Sequence, residues 1–336
     1  MNRRHWLRLA TGCMFGGAGG QAVAGSPQNL AKGETALSRT AEAELEGLRE
    51  RLAQAKIGPL NTARSVHYQA IGDASEWFMN VVLGDNEQIA LDYSKHFRAL
   101  GFQVRMPGSP LIVVVFRDDR SFNKFFHLPS FEAGKKGLPA QLVGGIYERR
   151  TNVLHVFDWR SVGIPHSGRL NMPSLVHEAT HQLSFNTGLL NREGDTPLCI
   201  VEGLGTYGES RDLIGPSDFG RRNWERLRDL GRIRRRLPWI PMRELFSDDA
   251  VLDAVATALR AGKADRVVLA YAESWLLVYY LLKDQEVLPR FRQYLKDIQT
   301  RRTADRRIAD AQTHLGDLDQ LDRVLRGYAV RFERSH

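Results

Sequence analysis

Cysteine is nearly absent. The 336-residue chain has two, Cys13 and Cys199. Cys13 falls in a segment read below as a leader, so no internal disulfide can staple the remainder. Lysine is scarce too, nine residues against 38 arginines. No apolar run approaches the roughly 20 residues a membrane-spanning helix needs. The longest are Leu111–Phe116 and Trp275–Leu282. There is no internal repeat and no low-complexity linker. With 43% hydrophobic and 26% charged residues, the composition excludes a disordered chain, a collagen-like chain and a disulfide-bonded miniprotein. The length suffices for a real core and for about two domains. The net charge of +8 invites anionic partners but says nothing of reaction type.

Residues 1–24 read as an export signal. Arg3-Arg4 opens the chain, a glycine-rich weakly apolar stretch follows, and Ala22-Val23-Ala24 offers a small-x-small cleavage site. The arginine pair before bulky apolar residues resembles a twin-arginine leader, which exports proteins already folded. An ordinary secretory leader, or lipidation at Cys13, is the alternative. Loss of 1–24 lowers the net charge from +8 to +5, because three arginines leave with no acid. The expected location is periplasmic or extracellular.

Along the rest, 25–60 reads as a polar tail plus one helix with Leu45, Leu48 and Leu52 at helical spacing. Val66–Ile71 reads as a strand and Glu76–Leu100 as a helix ending at Gly101. Leu111–Phe116 reads as a buried strand, and Asp118–His127 as a short helix. Leu142–Tyr147 and Val153–Asp158 flank a charged turn as a β-hairpin. From Asn171 the pattern turns helical, with candidates over Arg221–Leu237, Ala250–Ala261, Ala270–Leu282, Leu288–Thr300 and Leu318–Arg331. The expected fold class is α+β. The expected division is 61–170 as an α/β part, 171–215 as a pair of site helices and 216–336 as a helical part.

The chemistry sits at His177-Glu178-Ala179-Thr180-His181, an H-E-x-x-H pentad. Histidines four apart on a helix project about 40° from one another, so both rings can reach one cation. Neutral imidazole suits zinc, and three protein ligands leave a fourth position for water. Glu178 lies beside the pair, where its carboxylate can meet that water as a base. Asn171 or Ser174 can cap the helix, Pro173 fits its first turn, and Gly188 can close it.

A third ligand is required. No glycine and histidine follow the pentad in metzincin spacing. Glu202 fits instead, in Thr196-Pro197-Leu198-Cys199-Ile200-Val201-Glu202-Gly203, with Thr196 as N-cap and Pro197 as first helical residue. Gly203, Gly205 and Gly208 each weaken a helix by about 1 kcal/mol, a cost acceptable where backbones must approach closely. Glu209, seven residues on and on the same face, is the alternative ligand; Asp195 and Glu193 sit in the preceding turn.

His177-Glu178-Ala179-Thr180-His181-Gln182, with Val201-Glu202-Gly203-Leu204-Gly205-Thr206-Tyr207, resembles the gluzincin metallopeptidases. Among these it is most similar to a bacterial peptidase MA-like group, in which glutamine follows the pentad and the distal motif reads Glu-Gly-small/apolar-x-x-Tyr. The resemblance is strongest over 171–210, looser over 111–158, and weak in Tyr271–Leu282 and Leu288–Ile298. It implies a zincin-like fold, one Zn2+ held by His177, His181 and Glu202, and Glu178 as catalytic base. Thermolysin-like members carry an aspartate four residues after the third ligand; Thr206 stands there instead, so the carboxylate that supports a histidine is not found at that position.

The expected activity is hydrolysis of a peptide or protein substrate by a zinc-activated water. A non-catalytic envelope binding or scaffold protein on the same fold is the alternative. Tyr207, His155, His166, Tyr147 and Tyr271 are candidates for stabilising the oxyanion, with Tyr207 on the Glu202 helix put first. The strand Val153–Asp158 is a candidate for aligning substrate by strand addition. Arg221–Arg236, with eight arginines in sixteen residues, reads as a solvated helix of local ion pairs rather than a nucleic-acid patch. Cys199 and the aromatic run at Trp275–Tyr280 read as core.

Overall fold

The computed structural model describes residues 44–126, 144–162, 172–210, 219–253 and 264–334. The expected leader, the tail up to residue 43, the candidates Asn171 and His166, and the expected helix over 254–261 lie outside these residues. β1 (Asn61–Arg64), β2 (Tyr68–Gly72), β3 (Leu111–Phe116), β4 (Gly145–Glu148) and β5 (Val153–Phe157) form one mixed sheet in the order β1-β2-β3-β5-β4. β2, β3 and β5 run parallel, and the outer pairs β1–β2 and β4–β5 are antiparallel. β3 is buried along its whole length, as its unbroken apolar run requires of a central strand. The predicted hairpin is present, with Glu148 opposite Val153 and Asn152 at φ 60° in the turn. β1 escapes the sequence reading because Asn-Thr-Ala-Arg has neither β-branched run nor alternation.

The helices are α1 (44–54), α2 (Glu76–Ala99), α3 (Asp119–Phe126), α4 (Met172–Asn186), α5 (Leu198–Gly208), α6 (Trp224–Ile233), α7 (Met242–Ser247), α8 (Ala250–Asp253), α9 (Ala264–Lys283), α10 (Leu288–Ile298), α11 (Arg307–Leu315) and α12 (Leu318–Arg334). The protein is thus α+β, as the pattern predicts. Ser75 caps α2 by accepting from Phe78 N–H at 3.3 Å, and Gly188 at φ 85° follows the end of α4. α1 is not a loose appendage, since Leu48, Leu52 and Ile57 enter the core. Arg51 on α1 also donates to Glu148 of β4 at 3.0 Å. None of the described helices is long and apolar enough to cross a membrane.

α9 is buried over most of its length and packs across α5 and α6. Glu273 lies within it at 1% exposure. Both its carboxyl oxygens accept from Ile240 N–H at 3.2 Å. Burial raises its pKa well above the ordinary carboxylate value. A group raised in the folded state adds stability below its unfolded pKa, and that is lost as pH climbs through the folded value. Glu273→Gln keeps an acceptor without a titrating charge. Its thermal midpoint should match wild type near pH 4 and exceed it at pH 8, by roughly 2–4 °C for each kcal/mol of relief. Equal midpoints at pH 8 would refute this.

Candidate metal centre

α4 lies against the sheet and presents three groups in three directions. Gln182 turns to the sheet, donating to Ile112 O at 3.0 Å and Asn152 O at 3.2 Å. His177 and His181, one turn apart, face α5, with ring centroids 4.5 Å apart and planes at 83°. Glu178 lies between, and its Oε2 accepts from Tyr147 N–H of β4 at 2.7 Å. The helix begins at Met172, so Ser174 lies inside its first turn instead of capping it.

α5 brings Glu202 to the histidines. Its Oε2 lies 3.0 Å from His177 Nε2 and 3.6 Å from His181 Nε2. Ligand atoms of His177, His181 and Glu202 all fall within 4.8 Å of one another, and all three residues are buried. The glycines explain the approach. A Cβ on Gly205 would stand 2.7 Å from His177 Nε2 and 2.8 Å from His181 Cε1; one on Gly208 would meet Thr180 Oγ1 at 2.5 Å. Gly203 serves the opposite side, where a Cβ would strike Ser274 O at 2.5 Å on α9. The helix thus has glycine wherever a neighbour leaves no room for a methyl group.

The start of α5 differs from expectation. The first helical residue is Leu198, and Pro197 at the cap position makes no side-chain bond. Leu198 N–H donates instead to Asp249 Oδ1 at 2.9 Å. A carboxylate there answers both the unpaired N–H and the positive helix end. Arg307 holds that acid in place, donating to Asp249 at 2.8 Å and to Asp195 at 2.6 and 2.7 Å. Asp195 is therefore a partner of Arg307.

The electrostatics of the cluster are compatible with a cation. Burial opposes charging His177, yet carboxylates at both ring nitrogens (Glu202 at Nε2, Glu209 at Nδ1) raise it to about 10. Burial works against the charge on Glu202 as well, but His181 and His177 hold it down at about 2. His181 is lowered, chiefly by burial. Both its ring nitrogens are buried without a hydrogen-bond partner, a costly state that a cation at Nε2 would relieve. Two imidazoles and one carboxylate are also one of the donor sets that hold catalytic zinc. The residues present therefore fit a divalent cation.

Several candidates lie elsewhere. The Tyr207 hydroxyl pairs with His96 Nε2 of α2 at 3.0 Å, and its ring packs against Phe219 and Tyr279. Five residues along a helix from Glu202 put it about 140° away from that side chain, so it serves the core. His155 is buried among Phe116, Phe125 and Phe126 with both nitrogens unpartnered, and burial lowers it to about 4. It alternates with Leu154 and Val156, so it lies on the sheet face away from α4. Tyr147 donates its hydroxyl to Asn152 at 2.8 Å and stacks on Phe185; its backbone N–H meets Glu178. Tyr271 is different: its ring centroid lies 6.3 Å from that of His177. The strand Val153–Phe157 has neighbours on both sides, so it cannot accept an added strand; among the described residues β4 ends the sheet. Cys199 is buried, and burial raises its thiol.

Two residues of the site carry roles the sequence reading does not assign. Glu209 Oε1 accepts from His177 Nδ1 at 2.9 Å, so it stands behind the histidine and not beside Glu202. Arg226 binds Glu209 with two nitrogens at 2.6 and 3.0 Å and is 2% exposed. Elsewhere in the arginine run, Arg228 pairs with Glu225 and Arg232 with Asp229, each at 3.5 Å and three residues apart as expected, whereas Arg236 reaches Asp265 of α9 at 3.1 Å. The seven-residue spacing from Glu202 puts Glu209 on the right face, but nothing in the run distinguishes Arg226.

Residues 171–305 match a family model described as "Protein of unknown function (DUF1570)". The matched stretch contains the pentad, Glu202, Glu209, Arg226 and Tyr271 and excludes the sheet. No curated protein matches the chain.

Proposed function

We propose that the protein is an exported zinc metallopeptidase of gluzincin type, with His177, His181 and Glu202 as ligands and Glu178 as general base. The observation that carries this reading is the free oxygen of Glu178. One carboxylate oxygen is fixed by Tyr147 N–H, while Oε1 is buried with no partner. Burial raises the group to about 8. A carboxyl group held out of water beside the candidate cation site, titrating near neutral pH and with one oxygen unpartnered, suits a proton-transfer role.

A bound zinc ion would polarise a scissile carbonyl and acidify its water. Glu178 Oε1 accepts a proton from the attacking water and returns it to the leaving amine. Tyr147 N–H keeps the carboxylate oriented throughout. Tyr271, whose ring lies beside that of His177, takes the place of Tyr207 as the oxyanion candidate in this reading. The leader over 1–24 directs the folded chain out of the cytoplasm.

A specific observation favours the second reading, a zinc-holding protein without turnover. His177, Glu178, His181 and Glu202 are each at most 1% exposed, which suits a closed structural site. Two measurements separate the readings. Metal analysis should give about one zinc per chain for wild type and none for His177→Ala; equal content in both would end the metal-site reading. Incubation of the zinc-loaded chain with a mixed peptide library should yield cleavage that Glu178→Gln abolishes. Zinc bound at full occupancy with every peptide intact would leave the non-catalytic reading in its place.

A further inference from the structure

We propose that Arg226, the buried member of the arginine-rich helix, is a positioning residue for the metal centre, acting through Glu209 on His177. The proposal rests on the metal-site reading above. Three facts carry it. Glu209 Oε1 accepts from His177 Nδ1 at 2.9 Å. The same carboxylate is gripped by Arg226, whose Nη2 and Nε donate to its two oxygens, and by Asn223 Nδ2 at 3.0 Å. Arg226 also lies over the Tyr271 ring, its Cζ 5.5 Å from the centroid, so one guanidinium touches both the group behind His177 and the tyrosine beside it.

The physical consequence concerns which nitrogen of His177 is free. A carboxylate at Nδ1 fixes the N–H there and turns the Nε2 lone pair toward Glu202 and the cation position. An unsupported Glu209 could swing, or could itself turn to the cation as a fourth protein ligand. The planar fork of Arg226 removes both options, because it occupies one lone pair on each oxygen in a geometry an ammonium cannot copy. It also offsets the Glu209 charge, so the histidine is oriented without a further net negative charge beside Glu202. Asn223 closes the arrangement from α6: its Oδ1 caps that helix by accepting from Glu225 and Arg226 N–H, while its Nδ2 holds Glu209. The helix cap and the histidine support are thus one residue.

The test is made on the full chain, with zinc affinity from chelator competition, the visible spectrum of the Co2+-substituted protein, and circular dichroism of each variant. Glu209→Gln, nearly isosteric, should bind one zinc about 10–100-fold more weakly and keep a tetrahedral Co2+ spectrum. Arg226→Met should weaken zinc similarly, Arg226→Lys should restore only part, and the double variant should be no weaker than Glu209→Gln alone. Folded Glu209→Gln with affinity within twofold of wild type would overturn the proposal. So would loss of the tetrahedral spectrum, which would make Glu209 a ligand. Should a variant fail to fold, nitrogen NMR of the zinc-loaded wild type decides: a slowly exchanging proton on His177 Nδ1 supports the arrangement, and a metal on Nδ1 refutes it.

Discussion

Glu178→Gln is expected to lower peptide hydrolysis by about 10²–10⁴-fold, the range a positioned general base supplies, while zinc content stays at one per chain. The amide oxygen of glutamine can still accept from Tyr147 N–H, now at 2.7 Å, so the side chain keeps its place. What changes is the other atom. Oε1, buried and unpartnered, becomes an amide nitrogen that has no lone pair to take a proton. Neither His177 nor Glu202 is altered, so metal binding isolates the chemical role from the structural one. Turnover within threefold of wild type at equal zinc content would remove Glu178 from the mechanism.

The second large effect is expected at a residue with no side chain. Gly205→Ala places a methyl group 2.7 Å from His177 Nε2 and 2.8 Å from His181 Cε1, well inside contact distance. Alanine gains about 1 kcal/mol in helix propensity, whereas overpacking costs about 1–3 kcal/mol. The displaced atoms are the ring edges that would hold a cation at this site. The outcome should therefore be a modest change in stability and at least a hundredfold loss of zinc affinity by chelator competition. Gly84→Ala on α2 is the control, since nothing lies within 4 Å of its added carbon; it should gain stability and bind zinc normally. Wild-type affinity in Gly205→Ala would show that α5 can retreat from the rings, contrary to the packing of Gly203 and Gly208 on its other sides.

The centre was legible in sequence to the extent that it is local. The pentad places two imidazoles on one helical face by periodicity alone, and Glu202 follows from the need for a third ligand on a glycine-bearing helix. The strand, helix and hairpin patterns of 111–158 are equally local. Tyr207 shows where local reasoning stops. Sharing a helix with Glu202 suggested a shared site, but the angular offset turns it to His96 and the core. His155 failed for the analogous reason, because alternation along β5 assigns it to the far face. Arg226 and Arg307 could not be found at all. Each acts across a long stretch of chain on Glu209 or on Asp195 and Asp249, and such pairings depend on tertiary contacts that no periodicity records. The extended segment Asn61–Arg64 was invisible because backbone pairing with β2, not side-chain pattern, makes it a strand.

His177 has an acid on each of its nitrogens, Glu202 at 3.0 Å and Glu209 at 2.9 Å. A protonated His177 satisfies the same oxygens that would face or support an ion. On the metal-site reading, folding and metallation would then be separable events, the ion entering by exchange with hydrogen rather than as a nucleus around which helices gather.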